Sequence, residues 1–179
     1  MPHDDRAITP ATNVADVLAR YPELEDVLIG MAPPFRKLKN PVLRRSVAKV
    51  ASLRQAAAVA RIPVGEVVNR LRAAVGQRPL LTEEAGDDAT YFTSQPDWFV
   101  PSNVAVSIDE RDLADADGMP LKRVAQEATH LKEGEILELI TTFLPAPGID
   151  IMKAKGFWVW PVEEQSGLVR TYFSKPSGR

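Results

Sequence analysis

The chain contains no cysteine in its 179 residues. Disulfides and thiolate metal sites are thereby excluded, and a fold of two domains under about 80 residues each must be held by apolar cores alone. Histidine is almost as scarce, with His3 near the terminus and His130 elsewhere, and neither has a second donor at metal-ligand spacing. The glycines are scattered, with no phosphate loop or dinucleotide fingerprint, and no Ser/His/Asp arrangement stands out. No cofactor, metal or catalytic activity is therefore expected. No run approaches the roughly 18 apolar residues of a membrane span, and residues Met1 to Arg6 carry no apolar leader-like core, so a cytoplasmic protein is expected.

What is present is an ordinary soluble composition, 45% hydrophobic and 26% charged, with a net charge of −2. The charge is unevenly shared. Residues 1–76 hold 12 Lys/Arg against 7 Asp/Glu, and residues 77–179 hold 10 against 17. No acid falls between Asp26 and Glu66, a stretch with Arg36, Lys37, Lys39, Arg44, Arg45, Lys49, Arg54 and Arg61. Such a stretch is a candidate footprint for phosphates or nucleic acid, although the pI near 5.8 argues against a dedicated nucleic-acid binder.

Residues 1–76 read as an all-helical domain of about five short helices. Thr12 or Asn13 is an N-cap candidate before Val14, Val17 and Leu18, which recur at helical spacing. Pro22 restarts the pattern with Leu24, Val27 and Leu28, and Gly30 marks its end. Pro33-Pro34 predicts a non-helical connection. Asn40-Pro41 then opens a helix with Leu43, Val47 and Val50 on one side. Ser52 caps a helix through Ala60, Pro63 opens another with Val64, Val67, Val68 and Leu71, and Gly76 suits the residue just past its end.

The run Ile8-Thr9-Pro10, then Val14 to Leu24, then Phe35 to Arg44 and Leu53 to Ala57, resembles the domain of unknown function numbered 1858. That resemblance implies an all-helical fold. One branch of the family carries cysteines after the second helix, where this chain has Ala32-Pro33-Pro34-Phe35. The resemblance therefore implies a signalling or redox-adjacent association and no defined reaction. Ser52 to Ala73 also has helix-turn-helix character. A DNA reader would present Glu66, Asn69, Arg70 and Arg72 from its second helix, with Asn69 and Arg70 suited to the major groove.

Residues 77–103 read as a linker containing an acidic tract, Glu83-Glu84-Ala85-Gly86-Asp87-Asp88, and four aromatics, Tyr91, Phe92, Trp98 and Phe99. A freely solvated linker seldom retains such side chains, so they are expected to dock on a domain. Residues 104–179 read as β-α-β-α-β-β. Strands are predicted at Val104–Asp109, Ile136–Thr141, Phe157–Val162 and Leu168–Phe173, the last two as a hairpin. One helix opens at Met119-Pro120 and a second lies between Pro147 and Gly156. Two helices on one face of a mixed sheet give a two-layer sandwich, so the whole chain is expected to be α+β.

Ile108 to Leu113, Met119-Pro120, Leu131 to Glu135 and Lys155-Gly156-Phe157 resemble the domain of unknown function numbered 2249, which is related to the TusA-like sulfur-carrier fold. Sulfur carriers have Cys-Pro where this chain has Met119-Pro120. A thioether cannot carry sulfane sulfur, so sulfur transfer is expected to be lost. Relatives often have a His after the second strand, where this chain has Phe143-Leu144-Pro145-Ala146-Pro147.

Trp158 and Trp160 share one sheet face, opposite Phe157 and Val159, so both faces are apolar. One should meet the helices; the other is either exposed or covered by the first domain or the aromatic segment. Asp109, Glu110, Asp112, Asp115 and Asp117 form an acidic loop. The expected function is a non-catalytic binding or regulatory protein, an adaptor or sensor of an unknown protein or small molecule, with its two domains docked on each other. Redox or nitrogen-oxide metabolism is implied only by association with the two families. Its surface would be Trp158, Trp160, Met119 and Pro120. The alternative is a nucleic-acid regulator using Arg44, Arg45, Lys49, Asn69 and Arg70.

Overall fold

The protein is described by a computed structural model covering residues 7–41, 48–113, 120–165 and 167–176. The first half is helical and the second combines a four-stranded sheet with further helices, so the chain is α+β. Two compact units divide between Ala89 and Thr90. Among the residues singled out above, His3, Leu43, Arg44, Arg45, Val47, Asp115, Asp117 and Met119 lie outside the described residues.

In the first unit, α1 (Val14–Arg20) and α2 (Leu24–Met31) form where the apolar spacing places them, burying Val14, Val17, Leu18, Leu24 and Leu28. Asn13 takes the N-cap position of α1, but its side chain does not cap. The amides of Val14 and Ala15 instead donate to the carbonyls of Ala51 and Ala48, each at 2.9 Å. The helix start is thus satisfied by tertiary contact rather than by local sequence. Gly30 does not end α2, which runs to Met31. Pro33-Pro34 does not give a non-helical connection either. Residues Pro33–Lys39 form a 3-10 helix, because proline suits a first turn whose N–H groups need no partner. Val50, expected on an apolar face, is 43% exposed, and it is Ala48 and Ala51 that enter the core.

Helix α3 (Leu53–Ala60) starts on the Ser52 cap. Ser52 and Gln55 form a reciprocal capping box, with the Gln55 amide donating to Ser52 Oγ at 3.3 Å and the Ser52 amide to Gln55 Oε1 at 2.9 Å. The helix ends at Arg61, which has a φ of 57°. Ile62 then donates to the Ala57 carbonyl and Arg61 to that of Ala58. Helix α4 (Val64–Ala74) closes in the same way, with Gln77 donating to Arg72 and Gly76 to Ala73. Gly76 supplies the left-handed backbone this requires, with a φ of 70°. A one-turn helix, α5 (Thr82–Ala85), follows. Leu53, Ala57, Val64, Val67, Val68 and Leu71 join the buried residues of α1 and α2 in one core.

In the second unit the order is β1 (Val104–Asp109), α6 (Pro120–His130), β2 (Ile136–Thr141), α7 (Ala146–Ala154), β3 (Trp158–Gln165) and β4 (Leu168–Ser174). The hairpin strands run longer than the apolar pattern indicates, because Glu163 and Gln165 still pair with Val169 and Leu168 across the turn. The sheet order is β1-β2-β4-β3, with β1 parallel to β2 and the other pairs antiparallel. Cross-strand partners share a face. Ile108, Leu139 and Leu137 therefore lie with Phe173 and Val159, and Val124, Ala128 and Leu131 of α6 and Met152 of α7 pack against them. The opposite face carries Ser107, Glu138, Tyr172 and Trp160 in one row across the four strands.

Candidate functional site

The face away from the helices concentrates the unusual chemistry of the second unit. Glu138 stands between Leu137 and Leu139 on an interior strand and is 9% exposed. A carboxylate in such a place loses its hydration and must be compensated. Ser107 Oγ donates to its Oε2 at 2.6 Å, and Arg170 Nη1 donates to its Oε1 at 2.8 Å. Arg170 Nε lies 2.8 Å from Glu164 Oε1, so one guanidinium bridges two acids. Burial alone pushes the Glu138 carboxyl up, but the Ser107 and Arg170 bonds and the positive charge of Arg170 outweigh it and hold it below its usual range. The two flanking carboxylates push the Arg170 guanidinium up.

Tyr172 closes this network. Burial, the Glu138 charge and a hydrogen bond to Glu138 push its phenol up to about 12. Because the folded protein favours the neutral phenol, the stability it contributes is present below the unfolded value near pH 10 and is lost as pH rises towards 12. An ultraviolet phenolate titration of the native protein should show one group ionising near pH 12. That step should vanish in Tyr172→Phe, and its persistence there would show that it does not belong to Tyr172.

An aromatic cluster adjoins the charges. Phe99 lies 4.4 Å from Tyr172 and 4.8 Å from Trp160, centroid to centroid, and Trp98 stacks on Trp158 at 6.0 Å. Trp160 Nε1 donates to the Thr93 carbonyl at 3.1 Å, and Tyr91 Oη to Asp150 Oδ2 at 2.8 Å. The aromatic segment after residue 89 therefore docks on the second unit itself and covers the sheet face that the helices leave. Trp160 is buried by it, whereas Trp158 remains 39% exposed. Pro120 begins α6.

Of the acidic loop, Asp109 and Glu110 are engaged by nearby side chains. Arg111 Nε donates to Asp109 Oδ1 at 2.8 Å, and this bond above all holds the Asp109 carboxyl down at about 2. Thr142 Oγ1 donates to Glu110 Oε1 at 2.6 Å. His130 accompanies Gln126 near the end of α6, with Nδ1 3.1 Å from the Gln126 carbonyl. Among the described residues, no group of three or more His, Asp or Glu could hold a metal ion. No described helix is long and apolar enough to cross a membrane.

In the first unit the basic candidates separate. Lys49 is exposed. Arg70 pairs with Glu66 at 2.7 Å on the surface of α4. Asn69 donates from Nδ2 to the Leu80 carbonyl at 3.1 Å and accepts from the Leu80 amide at 2.6 Å, so its side chain clamps the segment after α4. Arg72, read from the sequence as exposed, is only 6% exposed. Its Nε donates to the Ile8 carbonyl at 2.6 Å and its Nη1 to the Arg78 carbonyl at 3.0 Å. It sits four residues after buried Val68, a spacing that already pointed inward.

Sequence reasoning did not single out Ser107, Glu138, Arg170 and Tyr172. A signal existed: Glu138 interrupts Ile136-Leu137-Glu138-Leu139-Ile140, and a lone acid in an apolar strand requires a partner.

Fold and site together define an α+β protein of two units, with a helical first unit and an aromatic, ion-paired sheet face in the second. Residues 8–68, from the first buried isoleucine to the middle of α4, match the profile of a family described as a domain of unknown function (DUF1858). Searches of curated proteins and of solved structures return no match.

Proposed function

We infer that the protein is a cytoplasmic, non-catalytic binding or regulatory protein whose second unit recognises its partner through the aromatic end of the sheet face. One observation carries this reading. Trp158 is held 39% exposed and stacked on Trp98, next to a row whose charges are already satisfied within the chain. A pre-stacked aromatic pair offers apolar area at little further ordering cost, which is what a recognition surface needs. The TusA-like, sulfur-carrier-related reading of this unit rests on the sequence resemblance, supported by its β-α-β-α-β-β order. It accords with recognition rather than sulfur transfer, because the chain has no thiol.

Native mass spectrometry of the full chain should show a companion molecule at a fixed ratio that is lost in a folded Trp158→Ala variant. A chain without such a companion, or one retained by the variant, rejects this surface. The nucleic-acid alternative draws on the basic stretch and on the helix-turn-helix character of residues 52–73. Reading bases with Asn69 would require breaking both of its bonds to Leu80. A gel shift with duplex DNA at low salt that shows no complex removes that alternative.

A further inference from the structure

Helix α4 begins after Pro63, which has no side-chain oxygen with which to cap it. The cap comes from 24 residues further on, where Asp88 Oδ1 accepts from the Val64 amide at 2.7 Å. Three more side chains of the first unit reach the same stretch. Arg54 on α3 donates through Nη2 to the Ala85 carbonyl at 2.8 Å and through Nη1 to that of Asp87. Asn69 holds both backbone groups of Leu80, and Arg72 holds the Arg78 carbonyl. Between these anchors only Leu80 and Ala85 are buried, while residues 81–84 and 86–88 are exposed. A segment held mostly by polar contacts, with little buried apolar area, opens at lower free energy than the core beneath it.

Gly86 fixes how the strap closes. Its φ of 64° lies in the region other residues rarely adopt, and a Cβ there would stand 3.3 Å from Arg54 Nη2. Substituting Gly86 therefore strains both the backbone and the latch that Arg54 forms.

We propose that residues 80–88 are a releasable strap, latched by Arg54 and Gly86, that opens as one unit while the core of the first unit stays folded. The strap ends one residue before the Ala89/Thr90 division between the compact units. Opening frees residues 80–89 as a tether with a reach of up to roughly 30 Å, at about 3.3 Å per residue. The device would set how much free chain leads out of the first unit, independently of what the second unit binds.

Native-state hydrogen exchange on the full chain tests this. Arg54→Ala and Gly86→Ala should each speed exchange of the Val64 amide, whose acceptor is Asp88, about tenfold or more, as expected for losing bonds to a charged group. The decisive amide is Leu80. Its acceptor is Asn69 rather than either substituted residue, yet in a strap that opens as one unit its exchange should speed up by the same factor. Arg54→Lys, which keeps one latch bond, should fall between. An unchanged Leu80 amide would overturn the proposal by showing separate contacts rather than a strap. Equal acceleration of the core amides of α3 and α4 would also overturn it, because Arg54 would then be holding the whole unit.

Discussion

Arg170→Met should destabilise the second unit by about 3 kcal/mol at neutral pH, the low end of the range for breaking a buried pair. The low end applies because the Arg170 side chain is 27% exposed, so water can partly replace it. After substitution Glu138 keeps the Ser107 bond but loses the cation that offsets its burial. Glu138→Gln should cost less, because Arg170 still has Glu164 and the amide can still accept from Ser107. The pH dependence separates this account from simple loss of packing. In the parent protein the Glu138 carboxyl is held low, so its contribution is present above the unfolded value near 4.3 and is lost as pH falls below it. In Arg170→Met, burial dominates and the folded value rises, so acidification from neutral pH favours the folded variant. The gap between parent and variant should therefore narrow on going from about pH 7 to pH 4. Urea unfolding followed by tryptophan fluorescence measures this unit alone, because Trp98, Trp158 and Trp160 all lie beyond residue 90. A gap independent of pH would show that Arg170 acts through packing of its stem.

Much of this architecture was legible because its causes are local. The Ser52 cap, the Gly76 terminator, the apolar spacing of α1 to α4 and the alternation of β1 each depend on residues within one or two turns. What was hidden depends on contacts distant in sequence. The first amides of α1 are satisfied by Ala48 and Ala51, and α4 is capped by Asp88. Arg72, expected on the exposed side of the second helix of the helix-turn-helix pair, is buried because backbone carbonyls outside that helix receive its guanidinium. At the site, alternation placed Trp158 and Trp160 on one face and Phe157 and Val159 on the other, without showing which of the two meets the helices. It could not show that Phe99 lies against Trp160 and Tyr172, or that Ser107, Glu138 and Arg170 meet across three strands. The charged row is fixed by strand register and the Phe99 contacts by the path of a segment outside the sheet, and local pattern encodes neither.

Phe99→Ala should cost the second unit about 3 kcal/mol, in the range for deleting a large aromatic side chain that remains partly solvated. The ring lies against both Trp160 and Tyr172, so its loss removes two aromatic contacts and uncovers an indole that is only 8% exposed. Trp98→Ala should cost clearly less, because its partner Trp158 is already 39% exposed and little new apolar area meets water. The two variants therefore separate two roles for adjacent residues in one segment. Phe99 is the anchor that covers the sheet, and Trp98 builds the exposed pair on which binding is proposed to rest. With the chain still folded, Phe99→Ala should red-shift the native tryptophan emission and bind a hydrophobic dye, while Trp98→Ala should do neither. If Trp98→Ala proves the more destabilising, the exposed stack is holding the segment in place. Trp158 would then be explained by folding, and the case for a recognition surface at that end of the sheet would lose its main observation.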